Sequence, residues 1–382
     1  MKVLHVITGL NTGGAQMMLY RLLSRLVAEG VEGEVISLDT AGPLVAPIRA
    51  LGVKVTCLDL VDGPSALLAM PDLGHRIRRA CPDIVHCWMY HANLLGGLAA
   101  RVFAGRPVIW GLRLSTLDPD HSKRSTIAVA RVGAALSRLV PAAVACVSRS
   151  ARDVHVNMGY DRRRMVVIEN GFDLDLFRPD AGNRARMRRD LGFGDDDVLI
   201  GLAARFDPQK DLATFFAAAR DVAAREPRAR FLICGETMDA DNTELVRLTA
   251  DAGLSERTHL LGRRTDMDRV TGGFDIAVSS SAYGEGFSNA LAEAMCCAVP
   301  AVAPDVGDAR QIVGDAGRIV PPRHPGALAD ALCDLIAMGP EARVRLGAEG
   351  RARMQDDFSI GAVTRRYQAL YDDVLAGRVT AN

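Results

Sequence analysis

No run of about 18 or more uncharged apolar residues occurs in this 382-residue chain, so no bilayer-spanning helix is expected. The start, Met1-Lys2-Val3-Leu4-His5-Val6-Ile7-Thr8, has an apolar run too short for the core of a secretory leader and no cleavage-type tail. Neither sign of charge is in excess, with 46 Lys plus Arg against 46 Asp plus Glu, so no net field draws the chain to nucleic acid or to a membrane. The eight cysteines, at 57, 81, 87, 146, 234, 296, 297 and 333, form no CxxC pair and no metal-ligand spacing. They read as reduced core residues of a cytoplasmic protein, for which any membrane contact would be peripheral and on the inner face. Short-period repeats are absent as well. What remains is a 49% hydrophobic composition with 36 Gly and 17 Pro, which suits a globular protein of two ordinary domains.

Both halves alternate apolar strands with amphipathic helices, the pattern of a parallel α/β sheet. In the first half, strands are expected at Val3–Ile7, Val35–Leu38, Val53–Leu58, Ile84–Trp88, Pro107–Trp110, Ala142–Ser148 and Met165–Gly171, with helices over 15–30, over 66–80 and from His91. The turn Gly9-Leu10-Asn11-Thr12-Gly13-Gly14 links the first strand to its helix, and its glycines let a ligand approach the backbone. His86 and His91 fall at or beyond the end of the fourth strand, where a site residue and a capping or core residue are both admissible readings. The polar, chain-breaking stretch from Phe172 to Asp197, with a charged short helix over 184–190, reads as the linker. Alternation then restarts with strands at Val198–Leu202, Arg230–Gly235, His259–Gly262, Asp275–Ser279, Pro300–Ala303 and Arg318–Val320, and ends in helices over 327–338, 341–356 and 360–376. The expectation is two Rossmann-like, doubly wound domains facing a central cleft: an acceptor-side domain over 1–175, a second domain over 190–360, and a helix over 361–382 crossing back to the first.

The richest stretch is Gly284-Glu285-Gly286-Phe287-Ser288-Asn289-Ala290-Leu291-Ala292-Glu293. Two glycines and a polar pair precede an Ala/Leu/Met-rich run, so a helix opens at Ser288 or Asn289. A helix start presents unpaired N–H groups and the positive end of a dipole, which favour an anion such as a phosphate. Upstream, Arg205 and Lys210 lie in the strand-to-helix loop Ala203–Asp211, on the same carboxyl-end edge of the sheet. A forked guanidinium, an ammonium and a helix start on one edge suit a diphosphate. Glu285 and Glu293, eight positions apart, then bracket a ligand that is part anion and part polyol.

Taken in order, these residues resemble the retaining family 4 glycosyltransferases of the GT-B fold. The resemblance runs through the Gly13-Gly14 turn, Pro82–His86, Ser148 and its helix, Glu169–Asp173 with Phe177-Arg178-Pro179, Arg205–Lys210, and the E-x7-E stretch from Glu285 to Glu293, followed by Ala298–Ala303 and Val306-Gly307. It implies that a nucleotide-activated sugar lies in the second domain. Arg205 and Lys210 would hold its diphosphate, assisted by N–H groups near Phe287, Ser288 and Asn289. Glu285 would bond the hydroxyls of the transferred sugar, Glu293 the ribose, and the Gly262-Arg263 loop would lie against the base. The Gly13-Gly14 turn would let donor phosphate and acceptor meet. No metal or cofactor is required on this reading, because fixed cations and helix dipoles neutralise the leaving diphosphate.

Two positions depart from the family pattern. Gly111-Leu112-Arg113-Leu114-Ser115 stands where a loop His near the sugar is usual, which leaves His91 as a substitute or Arg113 as a binder of an acceptor phosphate. Glu169 stands where Pro is usual before Asn-Gly. The resemblance implies a hexosyl or N-acetylhexosaminyl transferase that acts on a glycan or lipid-linked acceptor in surface polysaccharide, lipopolysaccharide or glycolipid synthesis. A catalytically silent sugar-nucleotide binder and a nucleotide-sugar epimerase are the competing readings. Basic patches at Arg76-Ile77-Arg78-Arg79 and Lys123-Arg124, with Arg131 and Arg138, fit either peripheral contact with anionic lipid or ordinary solvated helix faces.

Overall fold

A computed structural model describes residues 1–60, 68–117 and 124–378. The chain divides into two compact units, one of Met1–Gly171 with the segment from Ile360 onward, the other of Phe172–Ser359.

The first unit is built on a parallel sheet of β1 (Lys2–Ile7), β2 (Glu32–Ser37), β3 (Lys54–Cys57), β4 (Ile84–Trp88), β5 (Val108–Leu112), β6 (Ala143–Cys146) and β7 (Met165–Val167). Their order is β3-β2-β1-β4-β5-β6-β7. Strands β4, β5 and β6 are buried along their whole length, as expected of parallel strands covered by helices on both faces. The order reverses direction between β1 and β4, which pair from Val3↔Ile84 to Ile7↔Trp88, so their carboxyl ends frame a crevice. Helix Gly14–Ala28 starts there, with Gly13 as its N-cap.

Helix Ile360–Leu375 belongs to this unit and packs on helix Gly14–Ala28. Its buried residues Val363, Tyr367, Leu370, Tyr371 and Val374 recur at three- and four-residue spacing and join the core containing Met18, Leu19, Leu22 and Leu26. Each fully buried side chain of this size contributes roughly 1.5–3 kcal/mol of transfer free energy. The chain's return to the first unit is therefore bound by an apolar stripe.

The second unit carries β8 (Val198–Ala203), β9 (Ala229–Cys234), β10 (Thr258–Leu260), β11 (Ile276–Val278), β12 (Ala301–Pro304) and β13 (Gly317–Val320), all parallel, in the order β10-β9-β8-β11-β12-β13. Its reversal falls between β8 and β11, paired at Ile276↔Ile200 and Ala277↔Gly201. The architecture is α/β, as the strand and helix alternation predicts.

Three expectations need correction. The stretch Phe172–Asp197 is folded into the second unit instead of serving as a linker. Its helix Ala181–Asp190 is fastened by Arg184 and Arg188, whose guanidiniums meet the two oxygens of Asp275 at 2.6 and 3.1 Å. A polar composition hides a partner 87 residues away. Second, β5 runs on through Gly111 and Leu112, which pair with Trp88 of β4 and with Ala145 and Cys146 of β6, and the Asn93 side-chain amide also donates to Gly111 O (3.0 Å) and accepts from Gly111 N (3.2 Å). Third, His86 lies within β4 with no exposure, not at the strand's end, and its Nδ1 is 2.9 Å from the Tyr371 hydroxyl. The structure adds a short helix, Val45–Ala50, with Pro47 inside it. Residues 66–67, expected in a helix that is observed over Met70–Ala80, lie outside the described residues.

Candidate functional site

Adjacent strands at the reversal of the second sheet deliver two loops to one place. After β8 come Arg205 and a 3-10 turn, Pro208–Lys210, capped by Asp207, whose Oδ1 accepts from Gln209 N at 2.9 Å. Asp211 then takes a left-handed conformation (φ 46°) and caps helix Leu212–Arg225 through Thr214 N and Oγ1, at 3.2 and 2.7 Å. After β11 comes Ser279-Ser280-Ser281, then Gly284 at φ 71°, then Glu285. The loops are tied together: Ser280 Oγ donates to Lys210 O at 2.6 Å and Ala282 N to Gln209 O at 2.9 Å.

At this junction the Lys210 ammonium contacts Glu285 Oε1, and Ser281 Oγ donates to that same oxygen at 2.7 Å. The ion pair is shielded, with side chains 18% and 13% exposed. Arg205 extends into solvent, 60% exposed, with Nη2 3.3 Å from Asp207 Oδ2. Helix Asn289–Cys296 begins just beyond, and Ser288, its N-cap, places no side-chain hydrogen bond on the first turn. Phe287 differs from its neighbours: its ring packs against Phe172 and Phe358 at 5.9 and 5.4 Å, so only its backbone faces outward chemistry.

A third loop supports Glu285. Gly307 sits at φ 61°, and a Cβ there would lie 2.0 Å from Glu285 O. Glycine is required on both counts, conformation and close approach. The next residue, Asp308, donates its N–H to Gly286 O at 3.3 Å.

Glu293 and the Gly262-Arg263 loop occupy the neighbouring strand end. Burial pushes the Cys234 thiol, at the end of β9, up to about 12, with Arg264, Glu293 and Asp266 all close enough to act on it. Gly262 holds φ 61°, accepts from Gly235 N and donates to Met238 O, both at 2.8 Å. Arg263 is exposed beside it. The second unit thus brings Lys210 and Glu285 into contact at the carboxyl ends of β8 and β11, with Arg205 in the loop that carries Lys210, Glu293 in helix Asn289–Cys296, and the loop after β10 tied to Gly235 at the end of β9.

In the first unit, Gly13 and Gly14 open the helix after β1, and Gly13 is extended (φ −169°), a conformation any residue adopts. A Cβ there would stand 2.6 Å from Gln16 Oε1, the far end of a flexible side chain that can swing aside. His91 lies in the first turn of helix Tyr90–Phe103, half-buried, its pKa lowered by desolvation. Arg113, one of the two candidates for the acceptor side, is partly buried and makes its contacts within the first unit. Its Nη1 donates to the Tyr367 hydroxyl at 3.4 Å, its Nη2 bonds Asn170 Oδ1, and its guanidinium lies over the Trp88 ring at 5.1 Å. Desolvation lowers its pKa.

Asp-x-Asp triplets do occur in the chain, including Asp173/Asp175, Asp195/Asp197, Asp239/Asp241 and Asp266/Asp268. Several of these carboxylates serve local turns: Asp173 accepts from Asp175 N, Asp197 from Gly194 N and Asp239 from Asp241 N, while Asp266 pairs with Arg264. Among the described residues, no group of three or more His, Cys, Asp or Glu is arranged to hold a metal ion. Of the basic patches, Arg76 pairs with Asp72 at 2.7 Å and Arg78 approaches His75 at 3.3 Å; Lys123 lies outside the described residues. No helix among the described residues is long and apolar enough to cross a membrane.

Ser280 and Ser281 are site residues that no motif in the sequence marks, and the signal that points to them is a serine run directly after an apolar strand. Comparison with known proteins shows the family and the fold. Residues 12–176 match a family profile described as Glycosyltransferase Family 4, and residues 197–338 one described as Glycosyl transferases group 1. A D-inositol 3-phosphate glycosyltransferase of Salinispora tropica is 25% identical over 96% of this chain and 82% of its own length. One of Mycobacterium tuberculosis is 27% identical over 94% and 79%. Among solved structures, Anabaena HepE in complex with UDP has a similar fold, with a TM-score of 0.85 at 21% identity over 98% of this chain and 100% of that one.

Proposed function

The chain belongs to the family 4 glycosyltransferases, and from that premise we propose that it moves a hexose or N-acetylhexosamine from a nucleoside diphosphate sugar to a glycan or lipid-linked acceptor. The observation that carries the donor assignment is the convergence of Lys210 and Glu285 at the reversal of the second sheet, beside the start of helix Asn289–Cys296. On this reading Lys210 and Arg205 hold the diphosphate, with N–H groups at 287–289 completing the anion site. Glu285 accepts from hydroxyls of the transferred sugar, Glu293 from the ribose, and the Gly262-Arg263 loop flanks the base. HepE, of similar fold, was solved with UDP and with UDP-glucose, which supports a uridine nucleotide as the first probe.

The chemistry proposed is departure of the diphosphate from the anomeric carbon, its growing charge met by Lys210, Arg205 and the helix dipole. Preorganised charge of this kind supplies what a metal supplies in other transferases, and the reading is of a metal-independent enzyme. Retention at the anomeric carbon is part of the proposal and rests on family resemblance. Surface polysaccharide, lipopolysaccharide or glycolipid synthesis, at the cytoplasmic side of a membrane, is the proposed setting.

Thermal-shift screening against nucleotides and nucleotide sugars tests the donor site, because a ligand of the native state raises the melting temperature. A shift with a nucleoside diphosphate and a larger one with its sugar conjugate is expected. The absence of any shift across the panel would sink the assignment. Release of free nucleotide only when an acceptor or water consumes the sugar separates a transferase from a silent binder, and an isomerised donor would reveal an epimerase.

A further inference from the structure

Glu285 receives two hydrogen-bond donors in this structure, and both go to the same oxygen. Lys210 Nζ and Ser281 Oγ meet Oε1, while among the described residues Oε2 takes no hydrogen bond. The two donors differ in what a ligand can do to them. The ammonium is the group a diphosphate would draw away, since a dianion outcompetes a single carboxylate for it. Ser281, three residues beyond β11, is 1% exposed, so its hydroxyl is shielded from solvent. A buried hydroxyl is retained against its desolvation cost only where it is bonded, and here its acceptor is a carboxylate.

We propose that Ser281 is the positioning residue of Glu285: once a diphosphate engages Lys210, the Ser281 hydrogen bond alone keeps Oε1 occupied and Oε2 presented to the sugar. Ser280, 3% exposed, fixes the other half of the arrangement by binding Lys210 O. Recognition of the sugar is then ordered behind recognition of the diphosphate. This inference rests on the reading that Glu285 meets the transferred sugar.

The test is titration calorimetry with two ligand pairs, UDP with UDP-glucose and GDP with GDP-mannose, on wild type, Ser281→Ala and Ser281→Thr. For whichever pair the wild type binds, Ser281→Ala should leave the dissociation constant of the bare diphosphate within about twofold, while the extra affinity contributed by the sugar falls about tenfold, the scale of one hydrogen bond to a charged group. Ser281→Thr keeps the hydroxyl and should restore most of that difference. Equal loss for diphosphate and sugar conjugate, at unchanged melting temperature, would overturn the proposal in favour of a structural serine, as would no loss for either. Failure of the wild type to bind any of the four ligands overturns the donor reading itself, and with it this inference.

Discussion

Replacing Glu285 by Ala should tighten the binding of a bare nucleoside diphosphate while abolishing most sugar transfer. In the unliganded protein Lys210 is neutralised by Glu285 in a pair whose side chains are 18% and 13% exposed. A diphosphate must therefore take the ammonium away from a carboxylate. A hydrogen bond between charged groups contributes about 1.5–3 kcal/mol net. Only part of it opposes the ligand, because Glu285 keeps its 2.7 Å bond from Ser281 when Lys210 leaves. A residual of about 1 kcal/mol corresponds to roughly fivefold tighter UDP binding in Glu285→Ala. Turnover of the sugar donor should fall by on the order of 100-fold, the usual consequence of removing one preorganised group at the reacting centre. Calorimetric titration with UDP, run beside a donor-consumption assay, reads both effects. Lys210→Ala is the control and should weaken UDP and slow turnover together. Tenfold weaker UDP binding in Glu285→Ala would refute the competition argument, and near-normal turnover would remove Glu285 from the reaction.

Gly307→Ala should leave the protein folded but cut donor turnover at least tenfold. The new Cβ would stand 2.0 Å from Glu285 O at a φ of 61°, so the Glu285 loop must move, and the left-handed conformation adds about 1 kcal/mol of strain. Unchanged turnover in that variant would show that Glu285 tolerates displacement. Stability of the first unit should fall on acidification. Burial lowers the His5 pKa to about 3 and His86 well below its ordinary 6.5, so both are neutral in the native state and take up protons on unfolding. Their contribution is complete above pH about 6.5 and is lost as pH falls below it, at about 1.4 kcal/mol per pH unit for each histidine until the native pKa is reached. Calorimetric unfolding at pH 7.5 and 5.5 should show a clear drop, and a flat profile would contradict the neutral, buried pair.

Much of this protein is legible in its sequence because the relevant physics is local. Strand positions follow from short apolar runs buried on both faces, and the helix start at Asn289 follows from two glycines and Ser288 before an Ala/Leu run. The grouping of Arg205, Lys210 and Glu285 on one edge follows from a rule of parallel sheets, that loops at the carboxyl ends of strands surround the reversal point. The three final helices, observed as Pro325–Ala337, Gly339–Asp357 and Ile360–Leu375, lie within two residues of their expected limits.

Other features depend on partners far apart in the chain, which no local pattern encodes. Arg184 and Arg188 looked like linker residues until Asp275 was placed beside them. The contacts of Arg113 with Trp88, Asn170 and Tyr367 have no local signal, since Tyr367 comes from a helix more than 250 positions away. The sequence by itself determined a two-sheet α/β glycosyltransferase and the residue types along its donor edge. Tertiary structure alone decided that Lys210 and Ser281 share one oxygen of Glu285. Such a contact depends on side chains from two adjacent strand ends meeting within hydrogen-bond reach, a condition set by the pairing of β8 with β11.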